Sequence, residues 1–268
     1  MGIYNCADTL VHAVESIQAQ TYTNWELILC DDGSSDNTYA AASALAQADS
    51  RIILLKNGKN LGLNCTLNHC LEYASGEYIA RMDGDDDCLP ERFAKQVDFL
   101  DHHPEYAIVS TPMILFDENG EWGRTSVKEF PAKEDVVCGS PICHAPMMMR
   151  KEVLLAIGGY TVDPHMLRVE DVNLWIKLYA AGYRCYNLQE PLYRMRNDQN
   201  ALNRRKYKYR MTSVYVRLQG CRMMKLGFKC YIKAFMPMVI GVIPAGLRRF
   251  IRKIQLGHSY EKNPLSHP

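Results

Sequence analysis

Short apolar runs that alternate with helix-spaced stretches constrain this chain most. Trp25 to Cys30 is a near-continuous apolar run and Ile52 to Lys56 is another. Tyr78, Ile79 and Met82 fit a third, a short buried strand bounded by Gly76 and Gly84. Between them the period changes. Leu10, Val14 and Ile17 recur at helical spacing behind Asp8 or Thr9 as cap, and an Ala-rich helix capped by Ser35 or Asp36 reaches about Ala48. Leu63, Leu67, Leu71 and Ala74 share one helix face, and a further helix starts at Pro90. This alternation predicts an α/β fold with a mainly parallel sheet and helices on both faces. Ligands of such sheets sit beyond the carboxyl ends of the strands.

Two strands end in acidic turns at such positions. The first reads Asp31-Asp32-Gly33-Ser34-Ser35-Asp36, and the second Asp83-Gly84-Asp85-Asp86-Asp87. Four aspartates within five residues repel one another, and oxygen-only donors on a sharp turn suit Mg²⁺ or Mn²⁺ shared with a diphosphate. A solvated acidic loop is the alternative. An EF-hand is excluded, because its sixth and twelfth positions would be Cys88 and Ala94. Further on, Ala107 to Ser110 and Met113 to Phe116 are candidate strands, and Glu121 to Pro131 is a surface excursion. His144 to Arg150 reads as an apolar strand that enters a helix at Lys151, its three methionines filling core, and Gly158-Gly159-Tyr160 ends that helix. Glu170 and Asp171 stand in the first turn of a helix with Val172 and Trp175 facing inward. They either complement the helix dipole or do chemistry.

At 268 residues and 47% apolar content the chain can bury one sizeable core. Leu202 to Lys253 carries fourteen Lys and Arg and no acid, which leaves 17 basic against 30 acidic residues elsewhere. Residues 1–200 and 201–268 therefore divide into an acidic α/β domain and a basic helical tail. Met211, Val214, Leu218, Cys221, Phe228, Ile232 and Phe235 give the tail an amphipathic pattern. The run Met236 to Leu247 is broken by two prolines and is too short for a bilayer, which takes about 20 residues. The pattern suits an anionic inner-leaflet surface. A helix packed on the catalytic domain is the alternative, and nucleic acid is not an expected partner. The ten cysteines form no C-x-x-C pair and follow no secretory apolar segment, so reduced thiols and a cytoplasmic location are expected. Cys138, Cys143 and His144 read as small core residues and not as a metal set.

In order, the pieces are Tyr4-Asn5, Gln20-Thr21-Tyr22, Trp25-Glu26-Leu27-Ile28, Asp31 to Asp36 and Asn60-Leu61-Gly62. Then come Gly76-Glu77-Tyr78-Ile79, Met82 to Asp86, Arg92-Phe93, Arg150, Gly158-Gly159-Tyr160, and Glu170-Asp171 with Leu174-Trp175. This set, over roughly residues 2 to 200, resembles the family 2 glycosyltransferases of GT-A fold, whose sheet is Rossmann-like. The resemblance implies an inverting transfer from a nucleotide-diphosphate sugar, foremost a UDP-sugar, to a glycan or lipid-linked acceptor hydroxyl in cell-surface polysaccharide biosynthesis. It implies that Asp32 binds the nucleobase edge beside the Gly2-Ile3-Tyr4 turn. Asp83 would contact the ribose and, with Asp85, hold Mn²⁺ or Mg²⁺ on the diphosphate. Asp171 would be the catalytic base, with Glu170, Trp175 and His144 on the acceptor side. One base opposite one cation gives a single in-line displacement. A non-catalytic nucleotide-sugar-binding or membrane scaffolding protein on the same fold is the rival. Family members place a full apolar strand before Tyr-Asn, where Met1-Gly2-Ile3 stands here, so a start upstream of Met1 is expected. Many also place a histidine where Asn197 follows Arg196.

Overall fold

The computed structural model describes residues 1–163, 166, 168–197, 208–243, 246–247, 251, 254 and 256. Leu202, Lys253 and Pro244, one of the two prolines in the Met236 to Leu247 run, lie outside them. The chain divides into two compact units, Met1–Ser110 with His144–Val162, and Thr111–Cys143 with Asp163–Pro268. The expected boundary at 200/201 is not where these units divide. The described tail residues belong to the same unit as Glu170 and Asp171.

The first unit is built on a parallel sheet. Strand β1 (Gly2–Ile3) pairs with β2 (Leu27–Asp31), and β2 pairs along its whole length with β3 (Ile52–Lys56). All five residues of β2 are buried, and each fully buried Leu or Ile contributes roughly 1.5–3 kcal/mol. Helices α1 (Ala7–Gln18), α2 (Thr38–Ala48) and α3 (Leu63–Tyr73) follow the three strands and cover both faces. Leu10, Val14 and Ile17 of α1 are buried as their spacing requires, but the cap is Cys6 and not Asp8 or Thr9. The cap of α2 is Asn37. Asp36 instead accepts the Thr38 N–H at 3.0 Å. Strand β4 (Tyr78–Ala80) and a two-residue β5 (Asp87–Cys88) lead to α4 (Arg92–His102) and β6 (Ile108–Ser110).

In the second unit, β7 (Met113–Asp117), a strand as expected, forms an antiparallel hairpin with β8 (Gly120–Arg124), which occupies the start of the stretch expected as a surface excursion, and α5 (Lys133–Cys138) follows. Back in the first unit, β9 (Met148–Arg150) runs antiparallel to both β4 and β6 before α6 (Lys151–Ala156). Met147, Met148 and Met149 are core residues at 1%, 3% and 0% exposure.

A cleft of about 440 Å³ separates Leu27 and Ile28 of β2 from Tyr78 and Ile79 of β4. β1 covers only Cys30 and Asp31 of β2, and β9 holds one edge of β4. Tyr78 and Ile79 are therefore half-buried and Ala80 is exposed, where a buried strand was expected. The cleft is walled by strand edges and is not where the carboxylate turns meet.

The rest of the second unit comprises α7 (Glu170–Ala180), β10 (Cys185–Asn187) and β11 (Tyr193–Arg196), the last parallel to β7. Helix α8 (Lys208–Met223) packs along α7. A Cβ at Gly220 would stand 2.6 Å from Ile176 Cδ1, so a larger residue there would make the Ile176 side chain shift. The chain breaks at Lys225, with φ 52°, before α9 (Phe228–Lys233) and α10 (Met236–Val242). The single amphipathic stripe expected for the tail is thus split. Val214 and Cys221 are buried, whereas Phe228 and Ile232 are 78% and 60% exposed.

Candidate active site

Three turns of the first unit are stitched together beyond the strand ends. Asn5, in the left-handed region at φ 48°, donates its N–H to Ser34 Oγ at 3.0 Å and accepts the Ser35 N–H on Oδ1 at 2.9 Å. Thr38 Oγ1 accepts the Cys6 N–H at 2.8 Å. The aspartate turn joins them through Thr9 Oγ1, which donates to the Gly84 carbonyl at 2.8 Å. A Cβ at Gly84 would lie 3.0 Å from Cys6 Sγ and 3.2 Å from Ile3 Cγ2. Glycine between the two aspartates is what lets this turn sit so close to β1. Burial pushes the Cys6 thiol up to about 11, and the charges of Asp85 and Asp36 add to that. Gly2, Ile3, Tyr4, Asp32, Asp83 and Asp85 thus belong to one cluster of turns.

Asp32 is 5% exposed, and its backbone N–H donates to Ile3 O at 2.9 Å. Its Oδ1 accepts from Asn57 Nδ2 and the Leu61 N–H, both at 2.8 Å, and its Oδ2 accepts the Gly62 N–H at 2.9 Å. These donors take three of about four acceptor positions on an ionised carboxylate. Asp32 therefore organises the 57–62 turn, with little capacity left over. Asn57 extends the network to Thr66 Oγ1 at 3.1 Å and His69 Nδ1 at 2.9 Å. The sequence offered one signal for Asn57, a polar residue closing an apolar strand.

Asp83 is ion-paired with Arg81 Nη2 at 2.5 Å, a pairing the sequence reading missed. Asp86 and Asp87 are buried, and Asp87 Oδ2 lies 3.2 Å from His12 Nε2. Asp83 and Asp85 are half-buried. Among the described residues no three His, Cys, Asp or Glu side chains converge to enclose a metal. Two hard carboxylates on one turn fit a divalent ion that completes its shell with phosphate oxygens and water. His144 Nε2 lies 2.9 Å from Tyr160 Oη. Burial, with help from the Arg81 guanidinium, pushes its pKa well below the usual histidine value, so it is neutral at pH 7.

The second unit holds Glu170, Asp171 and Trp175 on α7. Asp171 is half-buried. Its Oδ1 accepts the Val172 N–H at 2.8 Å and its Oδ2 accepts Ser140 Oγ–H at 3.1 Å. Trp175, expected to wall the acceptor site, is 0% exposed and packs beneath the helix, because α7 turns its apolar face inward. Arg217 of the basic tail is buried, and its Nη1 donates to the Val137 carbonyl at 2.7 Å and to that of Val136 at 3.3 Å. It thereby anchors the end of α5, from which Ser140 reaches Asp171. Neither Ser140 nor Arg217 carried a sequence signal, since a lone serine and one of fourteen tail cations are unremarkable.

The sequence matches the family described as Glycosyl transferase family 2 over residues 1–158. The chain belongs to that family, and its fold is GT-A. It is 42% identical over 255 residues to glycosyltransferase EpsE of Bacillus subtilis (strain 168), covering 94% of this chain and 92% of that one. It is 29% identical over 216 residues to UDP-Glc:alpha-D-GlcNAc-diphosphoundecaprenol beta-1,3-glucosyltransferase WfaP of Escherichia coli, covering 80% and 83%. Mannosyltransferase PcManGT from Pyrobaculum calidifontis, solved with GDP-Man and Mn²⁺, superimposes with a TM-score of 0.61 at 18% identity, over 95% of this chain and 78% of that one.

Proposed function

We propose that this glycosyltransferase moves a sugar from a UDP-sugar to a hydroxyl of a lipid-linked acceptor, with inversion at the anomeric carbon. The stitching of the 2–5, 31–36 and 83–85 turns into one carboxylate-bearing cluster carries the reading. In it Asp32, through the one acceptor position that Asn57, Leu61 and Gly62 leave, receives the base end of the donor together with the Gly2-Ile3-Tyr4 turn, and Asp83 the ribose. Asp83 and Asp85 would hold Mn²⁺ or Mg²⁺, which when bound offsets the charge that develops on the diphosphate leaving group. Asp171 takes the proton of the acceptor hydroxyl, with Ser140 and the Val172 N–H fixing its carboxylate. Glu170 is an orienting neighbour, and His144 lies on the acceptor side. WfaP, whose name gives a UDP-sugar donor and a lipid-diphosphate acceptor, and PcManGT with its Mn²⁺ support these choices. Melting the protein with a panel of nucleotide sugars and Mn²⁺ tests the donor: UDP-sugars are expected to raise Tm more than GDP-sugars. A GDP-sugar that stabilises the chain more would reverse the assignment.

A lipid-linked acceptor calls for a membrane surface on the cytoplasmic side, and α9 and α10 supply a fitting face. Phe228, Ile232, Phe235, Val239 and Val242 are 47–79% exposed, with Lys229 and Lys233 among them. No helix among the described residues is long and apolar enough to cross a bilayer, so contact would be interfacial. The parent protein is expected to float with anionic phosphatidylglycerol vesicles, and a Phe228→Ser/Val242→Ser variant to stay mostly behind. Equal flotation of both would remove this face as the anchor.

A further inference from the structure

We infer that Arg92 and Gln20 are positioning residues that brace the two feet of the aspartate turn before any ion or nucleotide arrives. Arg92 is 0% exposed at the start of α4, and its Nη2 donates to the Arg81 carbonyl at 2.7 Å, two residues before Asp83. The same nitrogen lies 3.4 Å from the Met147 carbonyl, which also accepts the Arg81 N–H at 3.0 Å. Arg92 Nε donates to Gln96 Oε1 at 3.1 Å, and Gln96 Nε2 donates to the Pro146 carbonyl at 2.7 Å. One foot of the turn is thus tied to α4 and to the chain entering β9.

Gln20 holds the other foot. It is 4% exposed, its Oε1 accepts the Phe93 N–H at 2.9 Å, and its Nε2 donates to the Leu89 carbonyl at 2.8 Å and to Cys88 Sγ at 3.2 Å. The Thr21 N–H donates to the Pro90 carbonyl at 2.9 Å alongside. Chain 81–93 is therefore fixed at both ends by side chains that are themselves immobilised by burial.

An apolar side chain of similar size would fill the space around Arg92 without the cost of burying a guanidinium. What the guanidinium adds is a rigid fork that sets particular carbonyls in place. Held this way, the mutually repelling carboxylates Asp83 and Asp85 need no ordering when a ligand binds, and ordering at that stage would weaken binding. The inference rests on the proposed nucleotide and cation reading of this turn.

The test is the rise in Tm caused by saturating UDP as Mn²⁺ is titrated, which needs no turnover. Arg92→Met is expected to raise the Mn²⁺ concentration for half the shift by at least about tenfold, Arg92→Lys by less, and Gln20→Met to behave like Arg92→Met. Leu154→Ala, a buried apolar change in α6, lowers the baseline Tm and leaves the Mn²⁺ midpoint where it was. If Arg92→Met is too unstable to purify, Gln20→Met and Arg92→Lys decide alone. Midpoints in these variants equal to those of the parent and of Leu154→Ala overturn the brace and leave the functional reading standing. A parent protein whose UDP shift ignores Mn²⁺ removes both.

Discussion

Asp171→Asn is expected to lower kcat by about 10³-fold while the Tm shift with UDP and Mn²⁺ stays as in the parent. An acceptor hydroxyl is a weak nucleophile until its proton is taken in the transition state, and a positioned carboxylate contributes roughly 10²–10⁴-fold to such a step. Asparagine keeps the volume and one oxygen acceptor, so helix α7 should persist. The proposed base acts on the acceptor hydroxyl and not on the donor, so its loss should be read in turnover and not in donor affinity. Ser140→Ala, which removes one hydrogen bond to that carboxylate, should cost far less. Undiminished kcat in Asp171→Asn would move the base elsewhere.

Asp85→Asn is expected to remove the Mn²⁺-dependent part of the UDP thermal shift and to cut turnover by at least about 10³-fold, since a bound cation supplies several kcal/mol of charge stabilisation in the transition state. The same change at Asp83 breaks an ion pair with Arg81. The Asp83 carboxylate is 2.5 Å from a guanidinium that is 8% exposed, so its removal disturbs a mostly buried ion pair and mixes folding with binding. The measurement is Tm against Mn²⁺ concentration with UDP held constant. An Asp85→Asn protein that still responds to Mn²⁺ like the parent would move the cation to other donors.

Periodicity was enough to place β2, β3, α1 and α3: β2 is buried throughout, and Leu10, Val14 and Ile17 of α1 and Leu67 and Leu71 of α3 are buried as their spacing dictates, although only Ile52 of β3 is. The acidic turns were equally legible, since carboxylates rarely crowd without a reason. What stayed hidden was every partner that reaches across the chain. Asp32 reads as a ligand residue, yet its carboxylate is largely occupied by Asn57, Leu61 and Gly62, more than twenty positions away. For Trp175 the apolar period of α7 pointed inward and the family resemblance pointed to the acceptor side, and the side chain is fully buried as the period requires. For the tail, composition left a lipid-facing surface and a packed helix both open, and α8 takes the packed course. Its cations suggested one solvated or lipid-facing surface, while Arg217 is buried against α5 and α8 lies along α7. Tertiary contact decides such matters, and charge counts do not resolve it.

The absence of a side chain at Gly220 has a mechanical consequence. Any larger residue there would press on the Ile176 side chain, in the helix that carries Asp171, without touching a single acidic group. Protein engineers who trim or decorate the C-terminal segment as a dispensable handle would therefore be repacking the helix that carries Asp171.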